Sequence, residues 1–473
     1  MAYCLTCNNS QIRRLQHDQV YLGYSPPFGT MRGVHGTGYG VPAMDTRQHA
    51  CIIRYITLSG YCDQTTSKHP VMRSILVLTS TYPRWQGDTN PAFVDDLCRQ
   101  LAGSYRVIVL APHYPGAQRR EVIDDVDIRR FRYCLPFAEK LAYDGGVIEN
   151  LKRNPLKWLL VPFFLLSQGF NMVLLARRHK VSLIHAHWII PQALLAVLGR
   201  QLRLIPGHIR ILCTSHGGDL FSLQGGLLQA LKGYTLRHCD HTTVVSKAMR
   251  DHLVSTGCQT RTVSVQSMGV DLISRFVPAP ERPVQYDIVY VGRLVEKKGV
   301  STLLDAIKLL REPHPGLTAT LVGDGPERQA LEQQAQTLGI SQQVSFAGAI
   351  PNERVPSIYQ SARIAVVPSI VAASGDQEGL GLVAVEALGC GCATVVSDLP
   401  ALADVVTHGE NGLVFKAGDA AQLADCMAML LDDPCLYRLL VQNARASVID
   451  KFDWQVVGTR YLDIIGQCID SPA

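Results

Sequence analysis

The stretch Ile364–Glu386 reads IAVVPSIVAASGDQEGLGLVAVE, an apolar run followed by a glycine-bearing loop and then a helical pattern. The first seven residues, IAVVPSI, predict a buried strand. Gly379 and Gly381 have no Cβ atom, which lets the backbone approach a ligand closely. The loop amides and the positive end of the helix dipole attract phosphate. The sequence therefore predicts an α/β unit with a phosphate-binding loop whose amides belong to Gly379, Leu380, Gly381 and Leu382.

Two carboxylates, Glu378 and Glu386, frame this loop with seven residues between them. If the helix begins near Gly381, Glu386 lies about 7 Å along it at 1.5 Å per residue, while Glu378 remains in the loop. One carboxylate can then accept hydrogen bonds from a ribose and the other from a sugar. The alternative is that both acids only complement the helix dipole, and the spacing alone favours that alternative. The surrounding motifs have to decide between the two.

A chain of 473 residues exceeds what one hydrophobic core usually serves, so we expect at least two domains. From Met72 onward, short apolar runs alternate with helical stretches, which indicates βα units and parallel sheets. A proline-bearing linker, residues 273–286, divides this series. We predict two doubly wound, Rossmann-like α/β domains, at residues 72–275 and 284–450. Ligands bind outside the carboxyl ends of such strands, so the site is expected in the cleft where the domains face each other.

Residues 1–71 contain seven glycines, six tyrosines and no glutamate, without a sustained period. We expect an irregular extension, and we hypothesise that translation begins at Met72. Cys4 and Cys7 form the only C-x-x-C pair, and the absence of a second pair at zinc-finger spacing argues against a metal site. The fourteen cysteines are scattered, which favours a reducing, cytoplasmic compartment.

Charge divides the chain, because residues 72–272 hold 24 lysines and arginines against 14 acids and residues 273–473 hold 15 against 23. Residues 151–200 contain seven basic side chains and no acid, and they include the apolar stretch 158–176. Pro162 and several polar residues make a membrane-spanning helix unfavourable. A helix in the surface of an anionic bilayer and a buried core helix with basic ends both fit. Nucleic acid is not expected as a partner, since no aromatic residues interleave with the basic ones.

Polar motifs follow other predicted strands. In GRLVEKKG, Arg293 and Lys298 can supply charge for a diphosphate, although lysines at a helix start are commonly solvated. In TSHGGDLF, His216 can donate to a sugar hydroxyl. His185 and His187, in IHAHW, are interpreted as structural residues. Asp125 and Asp127 form a D-x-D string that we assign to an ordinary strand rather than to a metal motif.

In this order, the motifs of residues 72–473 resemble those of the family-4 retaining, nucleotide-sugar-dependent glycosyltransferases with the GT-B architecture. The resemblance covers TSTYPRWQGDTNPAFV, TSHGGDLF, VVSKAMRDHL, MGVD, GRLVEKKG, GDGPER and EGLGLVAVE. The first loop has one glycine, Gly87, where many relatives have two, and SDLPALADVV replaces a commoner glycine pair.

The resemblance implies a role for each motif residue. Arg293 and Lys298 would bind the donor diphosphate, Glu386 the ribose and Glu378 the transferred sugar. His216 would lie beside the sugar, and Gly87 would let the first loop approach donor and acceptor. The C-terminal helix, residues 452–470, would pack on the first domain.

The same resemblance implies the reaction. A hexose would pass from a UDP- or GDP-linked donor to a saccharide or polyprenyl-diphosphate-linked acceptor, with retention and without a metal or separate cofactor. Surface polysaccharide or glycolipid assembly at the inner face of the plasma membrane fits the basic apolar segment. A nicotinamide oxidoreductase is disfavoured because no G-x-G-x-x-G follows a strand. A nucleotide-sugar epimerase and a non-catalytic sugar-nucleotide-binding protein remain alternatives.

Overall fold

Two largely parallel β-sheets organise the structure, a computed structural model that describes residues 72–471 except residues 91, 144, 223–224 and 258–259. The expectations for residues 1–71, including the pair Cys4 and Cys7, lie outside the described residues.

The first sheet has eight strands in the order β3-β4-β2-β1-β5-β6-β7-β8. The β3–β4 pair is antiparallel and the other pairs are parallel. Its strands are β1 Ser74–Leu78, β2 Arg106–Pro112, β3 Arg120–Ile123, β4 Val126–Phe131, β5 Leu183–His187, β6 Arg210–Ser215, β7 His241–Val244 and β8 Val263–Val265.

The second sheet has six parallel strands in the order β11-β10-β9-β12-β13-β14. These are β9 Tyr286–Val291, β10 Ala319–Val322, β11 Val344–Gly348, β12 Ala362–Val367, β13 Ala393–Ser397 and β14 Leu413–Phe415.

Helices follow most strands, as the alternating pattern predicts. Those before the linker are α1 Phe93–Ala102, α2 Val147–Arg153, α3 Val161–Arg178, α4 Leu194–Gln201, α5 Gly218–Phe221, α6 Gly226–His238 and α7 Lys247–Ser255. Those after it are α8 Val300–Leu310, α9 Arg328–Thr337, α10 Val355–Gln360, α11 Leu382–Gly389, α12 Ala420–Asp432, α13 Pro434–Phe452 and α14 Trp454–Asp470.

Strand order determines where a ligand can bind. In each sheet the chain winds outward in one direction and then returns to wind in the other. The reversal falls between β1 and β5 in the first sheet and between β9 and β12 in the second. A crevice opens at the carboxyl ends of the strands on either side of such a reversal. The predicted pair of doubly wound domains is thus confirmed. The motifs GRLVEKKG and EGLGLVAVE follow β9 and β12 at the second reversal point, and TSHGGDLF begins at the end of β6, the strand next to β5.

The last helix, α14, returns to the first sheet. It packs on α1 and β6, and Tyr461 is fully buried there. At its start, the Trp454 indole lies against Gly269, where an added Cβ atom would come within 2.5 Å of the ring. The C-terminus therefore stabilises the first domain by filling its core.

One interpretation of the D-x-D string was wrong. Asp125 does not lie on a strand, because Asp124 and Asp125 have φ angles of 48° and 63° and form the turn of the β3–β4 hairpin. Such two-residue turns need left-handed backbone, which aspartate tolerates. Asp127 does lie on β4, where it accepts a 2.5 Å hydrogen bond from Arg129.

The apolar basic segment forms the helical stretch Pro155–Arg178. By length and composition alone this stretch could cross a membrane, and only 28% of its most apolar 18-residue segment is buried inside the protein. One face of α3 packs on the sheet through Phe164, Gln168 and Met172. The segment is therefore not a buried core helix. Its other face exposes Leu156, Trp158, Leu159, Phe163, Leu166, Phe170 and Leu174 by 49–74%.

Candidate active site

The loops after β9 and β12 lie against each other at the reversal point of the second sheet. Gly299, with φ of 62°, ends a 3-10 turn over Glu296–Lys298. A Cβ atom at Gly299 would lie 1.9 Å from the Pro368 carbonyl oxygen, so only glycine permits this approach. The Ile370 amide also donates to the Lys297 carbonyl at 2.8 Å. The lysine pair is thereby held beside the loop that leads to Glu378.

Lys298 and Glu378 form an ion pair in this crevice. The Lys298 ammonium lies 2.6 Å from a Glu378 carboxylate oxygen, and the two side chains are 15% and 13% exposed. The Ser369 hydroxyl donates to the same oxygen at 3.3 Å. Burial opposes ionisation, but Lys298 and Lys297 outweigh it and lower the pKa of Glu378 to about 2. Glu378 is therefore an anion at any physiological pH.

Glu386 has a different environment. It is the fifth residue of α11, whose N-cap is Gly381 with φ of 87°. Burial raises the pKa of Glu386 to about 7, partly opposed by Arg275 and Lys298 and reinforced by Asp96. The expected helix start near Gly381 is confirmed. The two carboxylates that frame the loop thus differ in charge near neutral pH, which the dipole alternative does not predict.

Arg293 follows β9 and reaches the other domain. Its guanidinium donates to the Gly145 carbonyl at 3.0 Å. The side chain is exposed, Glu149 and Arg153 of α2 are nearby charges, and the guanidinium stays cationic. Arg293 therefore brings positive charge to the boundary between the two domains.

His216 lies at the carboxyl end of β6, on the first-domain side. Its ring packs against Phe93 and Trp188, with centroid separations of 4.9 and 5.1 Å. Asp219 braces the turn, accepting from the Ser215 hydroxyl at 2.8 Å and from the Ile189 amide at 2.7 Å. Burial lowers the pKa of His216 to about 3, so the ring is neutral.

The loops that carry His216 and Glu378 touch each other. A Cβ atom at Gly379 would lie 2.5 Å from the His216 carbonyl oxygen, and one at Gly217 would lie 2.9 Å from the Gly379 Cα atom. The structure thus gathers His216, Glu378 and Lys298 around one contact between the domains. Gly379, Leu380 and Gly381 are buried at that contact, and Leu382 is half-buried.

Gly87 lies apart from these contacts. It is exposed, with φ of 76°, and an added Cβ atom would meet no atom within 4 Å. The loop around it is fastened by Arg84, which donates to Asp88 at 2.9 and 2.7 Å. The Arg84 guanidinium also lies 4.5 and 4.4 Å from the ring centroids of Trp85 and Tyr114. Gly87 thus lies in a turn next to a buried ion pair, and its role beside donor and acceptor stays a prediction.

Sequence reasoning missed several residues of the site. Arg84 and Asp88, four apart in an aromatic-rich loop, offered a signal for an ion pair. Arg275 and Asp96 gave no signal in the sequence, because their proximity to Glu386 depends on the packing of two domains. His187 was assigned a structural role, yet its ring contacts His216. In the part of the chain that the structure describes, no group of three or more histidine, cysteine or acidic side chains is arranged to hold a metal.

Two family models match the chain. The model "Glycosyl transferases group 1" matches residues 276–447, which contain Arg293, Lys298, Glu378 and Glu386. The model "Glycosyltransferase Family 4" matches residues 92–273, which contain His216.

Named relatives and solved structures agree with these models. A GDP-mannose-dependent alpha-(1-6)-phosphatidylinositol monomannoside mannosyltransferase of Mycolicibacterium smegmatis is 25% identical, over 83% of this chain and 98% of the relative. A glycogen synthase of Mycobacterium tuberculosis is 29% identical, over 60% of this chain and 68% of the relative.

Among solved structures, sucrose-phosphate synthase of Thermosynechococcus elongatus superimposes with a TM-score of 0.66 at 22% identity, covering 84% of this chain and 98% of that one. Anabaena Alr3699/HepE in complex with UDP-glucose gives 0.64 at 18% identity, covering 83% and 99%. These likenesses concern the fold, whose two Rossmann-like domains face each other in the GT-B arrangement. From its motifs, its two matching models and this architecture, the chain belongs to the family-4 glycosyltransferases.

Proposed function

We propose that this glycosyltransferase moves a hexose from a UDP- or GDP-linked donor to a saccharide or lipid-linked acceptor, with retention of configuration. The observation that carries the proposal is the ion pair of Lys298 and Glu378, with Glu386 close enough to feel the charge of Lys298 and Arg293 at the boundary between the two domains. Two cations match a diphosphate, and two carboxylates match the hydroxyls of a ribose and a hexose. One relative is a GDP-mannose-dependent enzyme and one structural neighbour was solved with UDP-glucose, which supports this donor class and leaves the base open.

The proposed mechanism is electrostatic. As the bond between sugar and diphosphate breaks, negative charge grows on the leaving phosphate. Arg293, Lys298 and the α11 amides would stabilise that charge, an effect often worth several kcal/mol. Glu378, held ionised by Lys298, would orient the hexose through its hydroxyls. The acceptor hydroxyl would attack from the face that the diphosphate leaves, and these side chains would perform the neutralisation that a metal performs elsewhere.

Donor binding can be tested by thermal shift with UDP-, GDP- and ADP-linked sugars and with NAD. We expect one nucleotide sugar to raise the melting temperature of the wild type and to have little effect on Glu386→Gln. The matched control is Glu332→Gln, whose carboxylate is 40% exposed on α9 and pairs with Arg328 in the same domain. A response to NAD alone would overturn the proposal.

Retention and transfer are tested by analysing the product of the reaction. Incubation with the donor that binds and with membrane extract as a source of acceptor should give a glycoside whose anomeric proton coupling matches that of the donor. The inverted anomer would refute retention. Conversion of the donor to its epimer without an acceptor would favour the epimerase alternative. Full activity after treatment with a chelator is expected, since no metal is part of the proposal.

We propose further that the enzyme works at the inner face of the plasma membrane. The exposed apolar face of Pro155–Arg178 supports this, together with the exposed Lys152 and Arg153 just before it and Arg177 and Arg178 at its end. Apolar insertion and attraction to anionic headgroups together give stable surface binding. The nine cysteines among the described residues are all free thiols, as suits a reducing compartment.

Sedimentation with lipid vesicles tests the membrane proposal. The protein should pellet with vesicles containing phosphatidylglycerol, and less in high salt or with phosphatidylcholine alone. Phe163→Ser with Phe170→Ser should abolish pelleting, because these side chains are 60% and 70% exposed on one helix face. Leu439→Ser, at a 49% exposed leucine of α13, is the control and should pellet normally. Unchanged pelleting of the double variant would count against the proposal.

A further inference from the structure

Two histidines of β5 are buried behind the candidate active site. His185 and His187 have no exposed surface, and their ring centroids lie 4.3 Å apart on one side of the strand. His187 Nδ1 lies 2.9 Å from His216 Nε2, and His185 Nε2 lies 2.7 Å from the Thr214 hydroxyl. The remaining ring nitrogens, His187 Nε2 and His185 Nδ1, are buried without a hydrogen-bond partner among the described residues.

This arrangement determines where each proton lies. Burial lowers the pKa of His185 to about 3 and that of His187 well below its usual value, so both rings are neutral. A neutral imidazole carries one N–H group and one bare nitrogen. A buried N–H without an acceptor is rarer than a buried acceptor without a donor. Each proton therefore belongs on the nitrogen that has a partner, which in His187 is Nδ1.

The neighbouring chain of hydroxyl groups is consistent with the same rule. If His185 Nε2 carries its proton, it donates to the Thr214 hydroxyl. The Thr214 hydroxyl lies 2.6 Å from the Thr243 hydroxyl, which can donate to the Cys213 carbonyl at 3.5 Å. Every hydrogen in this series then has an acceptor. For two neutral rings, these contacts therefore determine which nitrogen of each histidine carries the proton.

His216 is the residue on which this arrangement acts. Its Nε2 atom accepts the hydrogen bond from His187, so a neutral His216 ring carries its proton on Nδ1. His216 Nδ1 makes no hydrogen bond to any residue that the structure describes. It is thus available to a ligand as a donor.

We propose that His187 is a positioning residue that fixes His216 in the Nδ1–H form, so that His216 donates a hydrogen bond to an oxygen of the bound sugar. This inference rests on the proposed function, because the sugar is the ligand of that function. It also excludes a role: a ring with Nδ1 protonated and Nε2 engaged cannot accept the proton of the attacking hydroxyl. His216 is then not the general base of the transfer.

The form of the His216 ring can be measured without any substrate. In the full chain labelled with ¹⁵N-histidine, protonated and bare ring nitrogens differ in chemical shift, and a His216→Gln sample identifies the signals of His216. We expect His216 to show a protonated Nδ1 and a bare Nε2, constant from pH 5 to 8. A protonated Nε2 would overturn the inference and leave the proposed donor binding untouched.

Three variants of His187 test the link to catalysis. The amide nitrogen of His187→Asn corresponds to Nδ1, while that of His187→Gln reaches towards Nε2, and His187→Leu has no donor. We expect kcat within about threefold of the wild type for the asparagine variant and about tenfold lower for the other two, as for one lost hydrogen bond. KM for the donor should change little in all three.

Either of two results in these variants would overturn the inference. The first is an asparagine variant as slow as the leucine variant. The second is a leucine variant whose His216 signals still show only the Nδ1–H form. Failure of every protein, wild type included, to bind a nucleotide sugar would instead refute the proposed function and not the tautomer.

Discussion

The Lys298 ammonium and the Glu378 carboxylate, 80 residues apart in the chain, lie 2.6 Å apart at the reversal point of the second sheet. Each side chain comes from a different loop, one after β9 and one after β12. A donor that enters the crevice meets a cation and an anion already placed, so little reorganisation is needed when charge develops. The pair therefore unites the donor-binding and sugar-binding parts of the proposed site.

Removing the negative charge of Glu378 should break the link between the donor-binding and sugar-binding parts of the proposed site. We expect Glu378→Gln to lower kcat by about 100-fold, because the amide pairs weakly with Lys298 and accepts fewer hydrogen bonds from the sugar. Steady-state kinetics with the identified donor measure this. The control is Asp376→Asn, which removes the partner of Lys297, 3.1 Å away, and should cost less than tenfold. Equal losses in both variants would contradict a specific role for Glu378.

Donor binding should release protons near neutral pH. The pKa of Glu386 is about 7, so its carboxyl is largely protonated at pH 6. Ribose hydroxyls that donate to the carboxylate favour the ionised form and lower this pKa on binding. Donor affinity should therefore rise with pH up to about 7 and level off above it. Isothermal titration calorimetry in buffers of different ionisation enthalpy counts the protons released.

The same titration of the Glu386→Gln variant tests whether Glu386 is the group that releases the proton. This variant should bind the donor weakly and release no proton. Asp96 also has a raised pKa, about 6, because of burial and the neighbouring Asp95. If Asp96→Asn abolishes the release and Glu386→Gln does not, the carboxyl that meets the ribose has been misidentified.

The first loop should depend on its buried ion pair. Asp88 and Arg84 are 2% and 9% exposed in their side chains. Asp88→Asn removes the buried carboxylate that accepts from the Arg84 amide and guanidinium, and we expect unfolding to become easier by about 3 kcal/mol. Urea unfolding followed by tryptophan fluorescence is suitable, since three of the four tryptophans lie in the first domain and Trp454 packs on it.

An exposed pair provides the comparison. Arg250 and Asp251 are 44% and 67% exposed, so Asp251→Asn should change the free energy of unfolding by less than about 0.5 kcal/mol. A similar loss in both variants would show that Asp88 acts through net charge rather than through its buried contact.

A methyl group at Gly379 should hold the two domains apart. The Cβ atom of Gly379→Ala would lie 2.5 Å from the His216 carbonyl oxygen, and a backbone atom cannot turn aside as a side chain does. We expect kcat/KM to fall by about 100-fold, as for a misplacement of about 1 Å in the reacting groups. Gly316→Ala, where an added Cβ meets nothing within 4 Å, should be as active as the wild type. Normal activity of Gly379→Ala would mean that this contact is absent during catalysis.

Much of the fold could be predicted from sequence because parallel strands are apolar runs. The predicted strand IAVVPSI corresponds to β12, and the apolar runs after Met72 include those of β1 and β2. The β3–β4 hairpin escaped recognition because β3 is mostly exposed and its turn consists of two aspartates. The short β14, three residues long, carries too little pattern to stand out.

The candidate site could be predicted where a single motif contains both the functional residue and the backbone that positions it. Gly381 as helix N-cap with Glu386 on the helix is such a case. The link between His187 and His216 could not be predicted, because it joins two strands through buried rings. The opposite pKa shifts of Glu378 and Glu386 could not be predicted either. Burial raises both pKa values, but Lys297 and Lys298 of another loop outweigh it only at Glu378.

Three contacts across the cleft have an evolutionary consequence. Arg293 donates to the Gly145 carbonyl, the Asn352 amide donates to the Asn90 carbonyl at 2.9 Å, and Gly379 lies against the His216 carbonyl. In each case the second domain contacts a main-chain oxygen of the first, which nearly every residue type supplies. The acceptor-side loops can therefore change their side chains, and with them the acceptor they accommodate, while closure onto the donor domain persists. Diversity of acceptors within one architecture is a natural outcome of such backbone-mediated closure.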